Sequence, residues 1–151
     1  MKKILLIFAL LIFSCQTPSK ITDEEVMETF NSFFEVLDKD IDNFDTWVTD
    51  DFYIFENSRT YSIDEFIEFV KSFDIIDSKR SYQDIKIKTD HNSAHITLRQ
   101  LGEFRVNTPD GRVKLNFEWL ESAYLIKEND SLKFQFYFSE AIKNTTTKID
   151  E

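Results

Sequence analysis

VKLNFEWLESAYLIKENDSLKFQFYF, residues Val113–Phe138, decides the fold. Val113–Lys127 and Leu132–Phe138 read as two strands. The residues between them, Glu128-Asn129-Asp130-Ser131, favour a turn and offer little to pack. In the second strand Leu132, Phe134, Phe136 and Phe138 alternate with Lys133, Gln135, Tyr137 and Ser139. That is a period of two with one apolar face. In the first, Val113, Leu115, Phe117, Trp119, Ala123 and Leu125 share a face, with Glu121 the one acid among them. This hairpin is the expected wall of a core or of a pocket.

Upstream, the period of two holds back to about Ser81. Ile85 and Ile87 alternate with Lys86 and Lys88, and Asp90-His91-Asn92-Ser93 makes a turn. Ala94, Ile96, Leu98, Gln100, Gly102, Phe104 and Val106 then share one strand face. Asn107–Gly111, with Pro109 and Asp110-Gly111, is the clearest turn in the chain. Downstream, Ala141–Glu151 is polar and is expected to fray, with 143–151 as a C-terminal tail.

The first half reads as helices. Thr22-Asp23-Glu24-Glu25 is a capping box, and Val26, Phe30, Phe33, Phe34 and Leu37 follow on one helical stripe. Ile41, Phe44, Trp47 and Val48 suit a short second helix. Phe52–Phe55 reads as a short strand, Asn57-Ser58 as a turn, and Arg59-Thr60-Tyr61 as its returning partner. Ser62-Ile63-Asp64-Glu65 is a second capping box, and its helix aligns Phe66, Ile67, Val70 and Phe73. Helices followed by a meander predict one α+β domain over 22–142, with the helices covering one face of a strongly curved antiparallel sheet.

Composition narrows the function classes. Sixteen Phe against two Gly and two Pro argue against a disordered chain. The net charge is −10, and losing Lys2 and Lys3 with a leader would take it to −12. Nucleic acid is therefore a poor partner, because phosphate contacts need Lys and Arg. Direct attraction to anionic lipid is not expected either.

Residues 1–14 have the pattern of an export signal: Lys2 and Lys3, the apolar run Ile4–Phe13, then the small Ser14. Ile12-Phe13-Ser14-Cys15 resembles the lipobox of bacterial lipoprotein precursors, with a bulky Phe13 at its second position. The resemblance implies cleavage before Cys15, a diacylglyceryl thioether on its sulfur, and a further acyl chain such as palmitate on the new N-terminus. Residues 15–21 would tether a domain to a membrane outside the cytoplasm, in the bacterial envelope. The alternatives are an ordinary signal peptide with an incidental Cys15, or a short membrane anchor. Cys15 is the sole cysteine, so the folded part has no disulfide.

Phe44-Asp45-Thr46-Trp47 leads into Asp50-Asp51-Phe52-Tyr53-Ile54-Phe55, then the helix Ser62–Phe73, then four strands. This order resembles the nuclear transport factor 2-like superfamily, especially its SnoaL-like and calcium/calmodulin kinase association-domain-like bacterial branches. The resemblance spans about Ile21–Ile142. It implies a cone-like fold enclosing a pocket, and often a homodimer formed through the sheet. Members include isomerases, cyclases, dehydratases and non-catalytic binding domains, so fold alone does not choose among them.

If the strand phase holds, Gln100 and Glu121 are the polar residues on the pocket face. Glu121, among Trp119, Phe104 and Phe136, should be desolvated and raised in pKa, and could serve as a general acid or base. A bulge near Leu120 would instead turn Glu121 to solvent; pairing with Arg99, Arg59 or a tyrosine would make it structural. Asp45, Trp47, Tyr53, Glu56, Arg59 and Tyr61 are candidates for the rim, with Tyr53 or Gln100 orienting a substrate.

No cofactor motif is present. Asp38–Asp42 begins like a calcium loop but has Asn43 for the glycine and Thr49 for the final glutamate. His91 lies in a turn and His95 on the opposite strand face, so no metal site is expected. His95, Thr97, Arg99, Leu101, Glu103 and Arg105, with Leu120, Tyr124 and Ile126, make a mixed outer face that would suit a dimer. Two functions remain: a non-catalytic module binding a small apolar ligand or a protein partner, and an isomerase, cyclase or hydro-lyase using Glu121.

Overall fold

The computed structural model describes residues 19–149; the expected signal segment and Cys15 lie outside the described residues. Helix α1 (Asp23–Lys39) starts at Thr22, whose hydroxyl accepts from Glu25 N while Glu25 Oε2 accepts from Thr22 N at 2.6 Å. Its buried stripe is Val26, Phe30, Phe33, Phe34 and Leu37. A 3-10 helix (Ile41–Trp47) leads into β1 (Val48–Glu56) and β2 (Arg59–Ser62). Helix α2 (Ile63–Lys71) opens on the second capping box, at Ser62. Four long strands follow: β3 (Asp74–Thr89), β4 (Ser93–Thr108), β5 (Gly111–Glu128) and β6 (Ser131–Lys148).

The six strands form one sheet in the order β2-β1-β6-β5-β4-β3. Every pair is antiparallel except β1 with β6, which is parallel. Helix α2 carries the chain from the β2 edge to the β3 edge, and the meander returns to lie against β1. The turns Asn57-Ser58 and Asn129-Asp130 have positive φ at both residues, the geometry that matches strand twist in a two-residue hairpin.

The helices pack on one face of the sheet. Phe33 stacks on Phe134 at 4.0 Å, and Phe30, Phe34, Phe44, Ile96, Ala123 and Leu125 complete the main core. A smaller cluster, Phe104, Val106 and Trp119, sits on the same face farther along β4 and β5. There Trp119 stacks on Phe117 at 4.7 Å, close over Gly102, where an added Cβ would come within 2.5 Å of the indole.

The α+β architecture, the curved sheet and the face alternation of β4 and β5 are as expected. Four expectations need correction. Strand β3 begins at Asp74, not near Ser81. The strand β1 runs from Val48, longer than Phe52–Phe55. Residues 143–148 are not a fraying tail: β6 stays paired with β5 out to Val113 opposite Lys148. The face of β6 also changes partway. Register shifts skip Gln135 and Ile142, so the extra residues sit in β6 and β5 keeps its phase. Phe134 is inward, but beyond Gln135 the inward residues are Tyr137, Ser139 and Ala141, opposite Ala123, Glu121 and Trp119. Phe136 and Phe138 lie on the outer face, against Tyr53 at 4.9 Å and Phe55 at 5.7 Å.

Candidate functional site

Between the two apolar clusters lies a cavity of about 240 Å³. The end of α1 supplies Phe34, Leu37 and Asp38, and α2 supplies Phe66, Phe69 and Val70. The far half of the sheet supplies Phe104, Phe117 and Trp119. Phe73 and Ile75, both well exposed, and Asn57 in the β1–β2 turn mark its mouth.

The polar end of the cavity is built by sheet register. Glu56 on β1 pairs with Ser139 on β6, and Ser139 pairs with Glu121 on β5. These residues stand in one row across three strands and all line the cavity. Gln100, opposite Trp119 on β4, lies beside the row. Glu121 is 5 % exposed, so β5 keeps it inside and no bulge at Leu120 turns it out. Its Oε1 accepts a long bond, 3.5 Å, from Ser139 Oγ, and its Oε2 has no hydrogen-bond partner among the described residues. Gln100 Oε1, Trp119 Nε1 and the Tyr137 hydroxyl are also buried without a well-formed hydrogen bond. Four such atoms on one cavity are unusual, because buried polar groups are nearly always satisfied.

Charge in this enclosure is costly. Burial pushes the Glu121 carboxyl up to about 8; the neighbouring Tyr137 hydroxyl and Arg80 guanidinium pull against that, and Glu56 adds to it. Burial pushes Glu56 up to about 7, with Arg80 opposing and Glu140 adding. The Tyr137 phenol is raised well above its ordinary value, first by burial and then by Glu121. Arg80 keeps its charge. Burial works against it, but Asp38 outweighs burial through bonds of 3.0 Å to Nε and 2.6 Å to Nη2. The guanidinium lies over the Phe34 and Phe104 rings at 4.6 and 4.9 Å.

Of the expected pocket residues, Glu121, Gln100, Trp119 and Phe104 line the cavity. Phe136, Tyr53 and Trp47 do not. Phe136 is on the outer face after the bulge, Tyr53 is 47 % exposed beside it, and Trp47 packs at the edge of the main core. Among the rim candidates, Glu56 reaches the cavity. Tyr61 is core, with Arg59 over its ring at 4.4 Å, and Asp45 is exposed. Arg99 does not pair with Glu121; it bonds Glu118 on the other face at 2.7 Å. His95 faces outward, 2.8 Å from Ser122 Oγ. Among the described residues no cluster of His, Cys, Asp and Glu could hold a metal.

Sequence reasoning missed Asp38, Arg80 and Tyr137. Arg80 lies in the half of β3 that shows no apolar alternation, and Tyr137 turns inward only because of the extra residue at Gln135. The signal for Asp38 and Arg80 was their opposite charge, but nothing local says that α1 and β3 meet.

No protein-family sequence profile matches the chain, and no curated protein matches it in sequence. Solved structures do. A hexachlorocyclohexane dehydrochlorinase, LinA type 2, superposes with a TM-score of 0.70 at 8% identity, covering 85% of this chain and 92% of that one. A scytalone dehydratase-like protein from Novosphingobium aromaticivorans DSM 12444 gives 0.67 at 11%, covering 84% and 88%. An NTF2-like protein from Cytophaga hutchinsonii ATCC 33406 gives 0.65 at 12%, covering 81% and 100%. The chain therefore has the fold of these proteins, the nuclear transport factor 2-like cone. Proteins of this fold include enzymes and proteins of unknown function.

Proposed function

We propose that this protein is a lipid-anchored component of a bacterial envelope whose cone binds a small, largely apolar ligand without transforming it. One observation carries the reading: an apolar cavity ends in buried polar atoms, among them Gln100 Oε1 and Glu121 Oε2, that the protein itself leaves unbonded. Pure packing would favour apolar residues there, whereas a ligand's polar group would satisfy them. The lipobox-like Ile12–Cys15 supports the anchor. Trp119 lines the cavity and Trp47 does not, so a Trp47→Phe variant reports on the site by fluorescence. Titration with small aromatic compounds should change Trp119 emission saturably. A cavity-filling Val106→Phe should abolish the response; a response that survives it would place binding elsewhere and sink the reading.

A second reading rests on Glu121. A carboxyl with a pKa of about 8 exists in both forms near neutrality and can give or take a proton. Two fold neighbours carry the names of a dehydrochlorinase and a dehydratase. An isomerase, cyclase or hydro-lyase using Glu121 would turn over a compound that also binds, and Glu121→Gln would stop turnover while leaving binding measurable. Saturable binders that all remain unchanged by NMR would count against catalysis. The outer sheet face, with Tyr53, Leu120 and Tyr124 exposed, supports a homodimer. Sedimentation at several concentrations tests it, with a Tyr124→Glu variant expected to dissociate it.

A further inference from the structure

Among the described residues, the cavity is lined by three carboxyls, Asp38, Glu56 and Glu121, and by one cation, Arg80. Asp38 already takes Arg80 in a two-point pair, to which Ser78 Oγ adds a bond of 2.6 Å. Among the described residues no Lys, Arg or His lies within ion-pair distance of Glu56 or Glu121. Glu56 has only a long bond of 3.5 Å from the neighbouring Asn57 amide. Adjacent strands are about 4.8 Å apart, so two acids flanking Ser139 in one row project into the same space.

The unbonded atoms give a second, independent indication. Gln100, 1 % exposed, presents its amide oxygen to the cavity without a donor. Glu121 Oε2 is likewise an unused acceptor, and the Tyr137 hydroxyl can act either way; Trp119 Nε1 alone is only a donor. Such an end calls for a group rich in N–H donors and positive in charge. A primary ammonium has three donors and no acceptor. The aromatic walls at Phe104, Phe117 and Trp119 suit an apolar body, and their faces favour a nearby cation.

We propose that the ligand of this cavity is a small apolar amine, its ammonium held between Glu121 and Glu56 and its body among Phe104, Phe117 and Trp119. The volume, about 240 Å³, falls below the roughly 300–1,000 Å³ of pockets for drug-sized ligands, so the body is about one ring. Deepening the cavity reading, the inference rests on it.

Binding is linked to protons. Around the two acids stand Asp38 from α1, Arg80 and Tyr82 from β3 and Tyr137 from β6; Glu140 lies on the outer face of β6, and Arg59, opposite Glu56 on β2, pairs with Glu65. Asp38 and Arg80 neutralise each other. Tyr82 is pushed up to about 12 by burial, and Tyr137 is raised well above its ordinary value by the same cause, so neither phenol titrates near neutrality. Glu56 and Glu121 do, at about 7 and about 8. A cation that requires them ionised releases protons on binding near neutral pH and binds more tightly as pH rises through that range, up to the amine's own deprotonation.

The test uses three probes of one shape: 2-phenylethylamine, 2-phenylethanol and 3-phenylpropionate. Calorimetry is run on the protein in buffers of different ionisation enthalpy, with Trp119 emission in Trp47→Phe as a second readout. The amine should bind about tenfold or more tighter than the alcohol, with proton release near neutral pH. Glu121→Gln and Glu56→Gln should each weaken the amine about tenfold and leave the alcohol nearly unchanged. Equal affinity for amine and alcohol overturns the amine and leaves the cavity reading standing. Preference for the carboxylate overturns it in favour of Arg80 as the anchor. Failure of all three probes overturns both readings. The wild-type series decides the matter even where a variant does not fold.

Discussion

Glu121 occupies a place where its charge is poorly solvated, and the whole domain should register that through pH. Its pKa rises from the ordinary 4.5 to about 8, mainly through burial, and Glu56 rises to about 7 for the same reason. Between those values the folded protein holds protons that the unfolded chain has released. Stability must then fall as pH rises from about 4.5 to about 8, by on the order of a few kcal/mol. The capping acids Glu25 and Glu65 work in the opposite sense. Their pKa values are lowered, first by the N-cap backbone N–H they accept from, so their contribution is lost only as pH falls through the acid range. A melting-temperature profile should therefore peak near pH 5 and decline toward pH 8. Glu121→Gln keeps the shape and removes the ionisation, so it should flatten the decline and melt above wild type at about pH 8. Superimposable profiles for the two proteins would show that Glu121 is not held as its surroundings require.

At the scale of the element, β6 has the most to test. Phe134 and Phe136 are two residues apart, and simple alternation puts them on one face. The extra residue at Gln135, whose amide bonds Asp51 Oδ2 at 2.9 Å, separates them. Phe134→Ala should cost about 3–5 kcal/mol in urea unfolding, because Phe134 is fully buried against Phe33. Phe136→Ala, on the outer face, should cost less than half as much; equal costs would mean that the strand does not change phase. On β4, Gly102→Ala should cost about 1–3 kcal/mol, since its methyl would meet the Trp119 ring. A neutral Gly102→Ala would mean that the indole moves freely. These elements also show what sequence can reveal. β4 and β5 were legible because each has one apolar face and no inserted residue, and Gln100 and Glu121 were found by the same phase. β6 was not, because aromatic residues on both of its faces erase the alternation that would expose a bulge. The start of β3 puts Ile75 and Ile76 side by side and is otherwise polar to Ser81, and the end of β6 is polar on both sides, so their pairing leaves no periodic trace. Glu56 and Arg80 reach the cavity through the parallel β1–β6 pairing and the α1–β3 contact, which local patterns do not encode.

Across the whole molecule, α1 links the place where the chain enters the domain to the cavity. Its N-terminal end is fastened by Ile21 N to Asp90 O at 3.0 Å, beside the β3–β4 turn. Its C-terminal end, about 25 Å away for 17 residues, supplies Phe34, Leu37 and Asp38 to the cavity. A tether on Cys15 would therefore enter at the end opposite the mouth, and an anchored domain would take its ligand from the aqueous side. The lipid would have to supply the anchoring by itself, because the net charge of −10, or −12 without Lys2 and Lys3, opposes an anionic surface. Two acyl chains suffice for stable attachment where one is marginal. In a bacterial host, the wild-type chain should sediment with membranes, resist release by high salt and come free in detergent. Cys15→Ser should reach the soluble fraction or remain as an uncleaved precursor, and should lose incorporation of labelled palmitate. Salt-released wild-type protein would instead mean that a partner, not lipid, holds it at the membrane. Binding of 2-phenylethylamine should be the same in membranes and in detergent, because a tether would join the domain at the N-terminal end of α1, away from the mouth at Asn57, Phe73 and Ile75. An affinity that changes on release would mean that the bilayer borders the cavity, and that the tether folds back along α1.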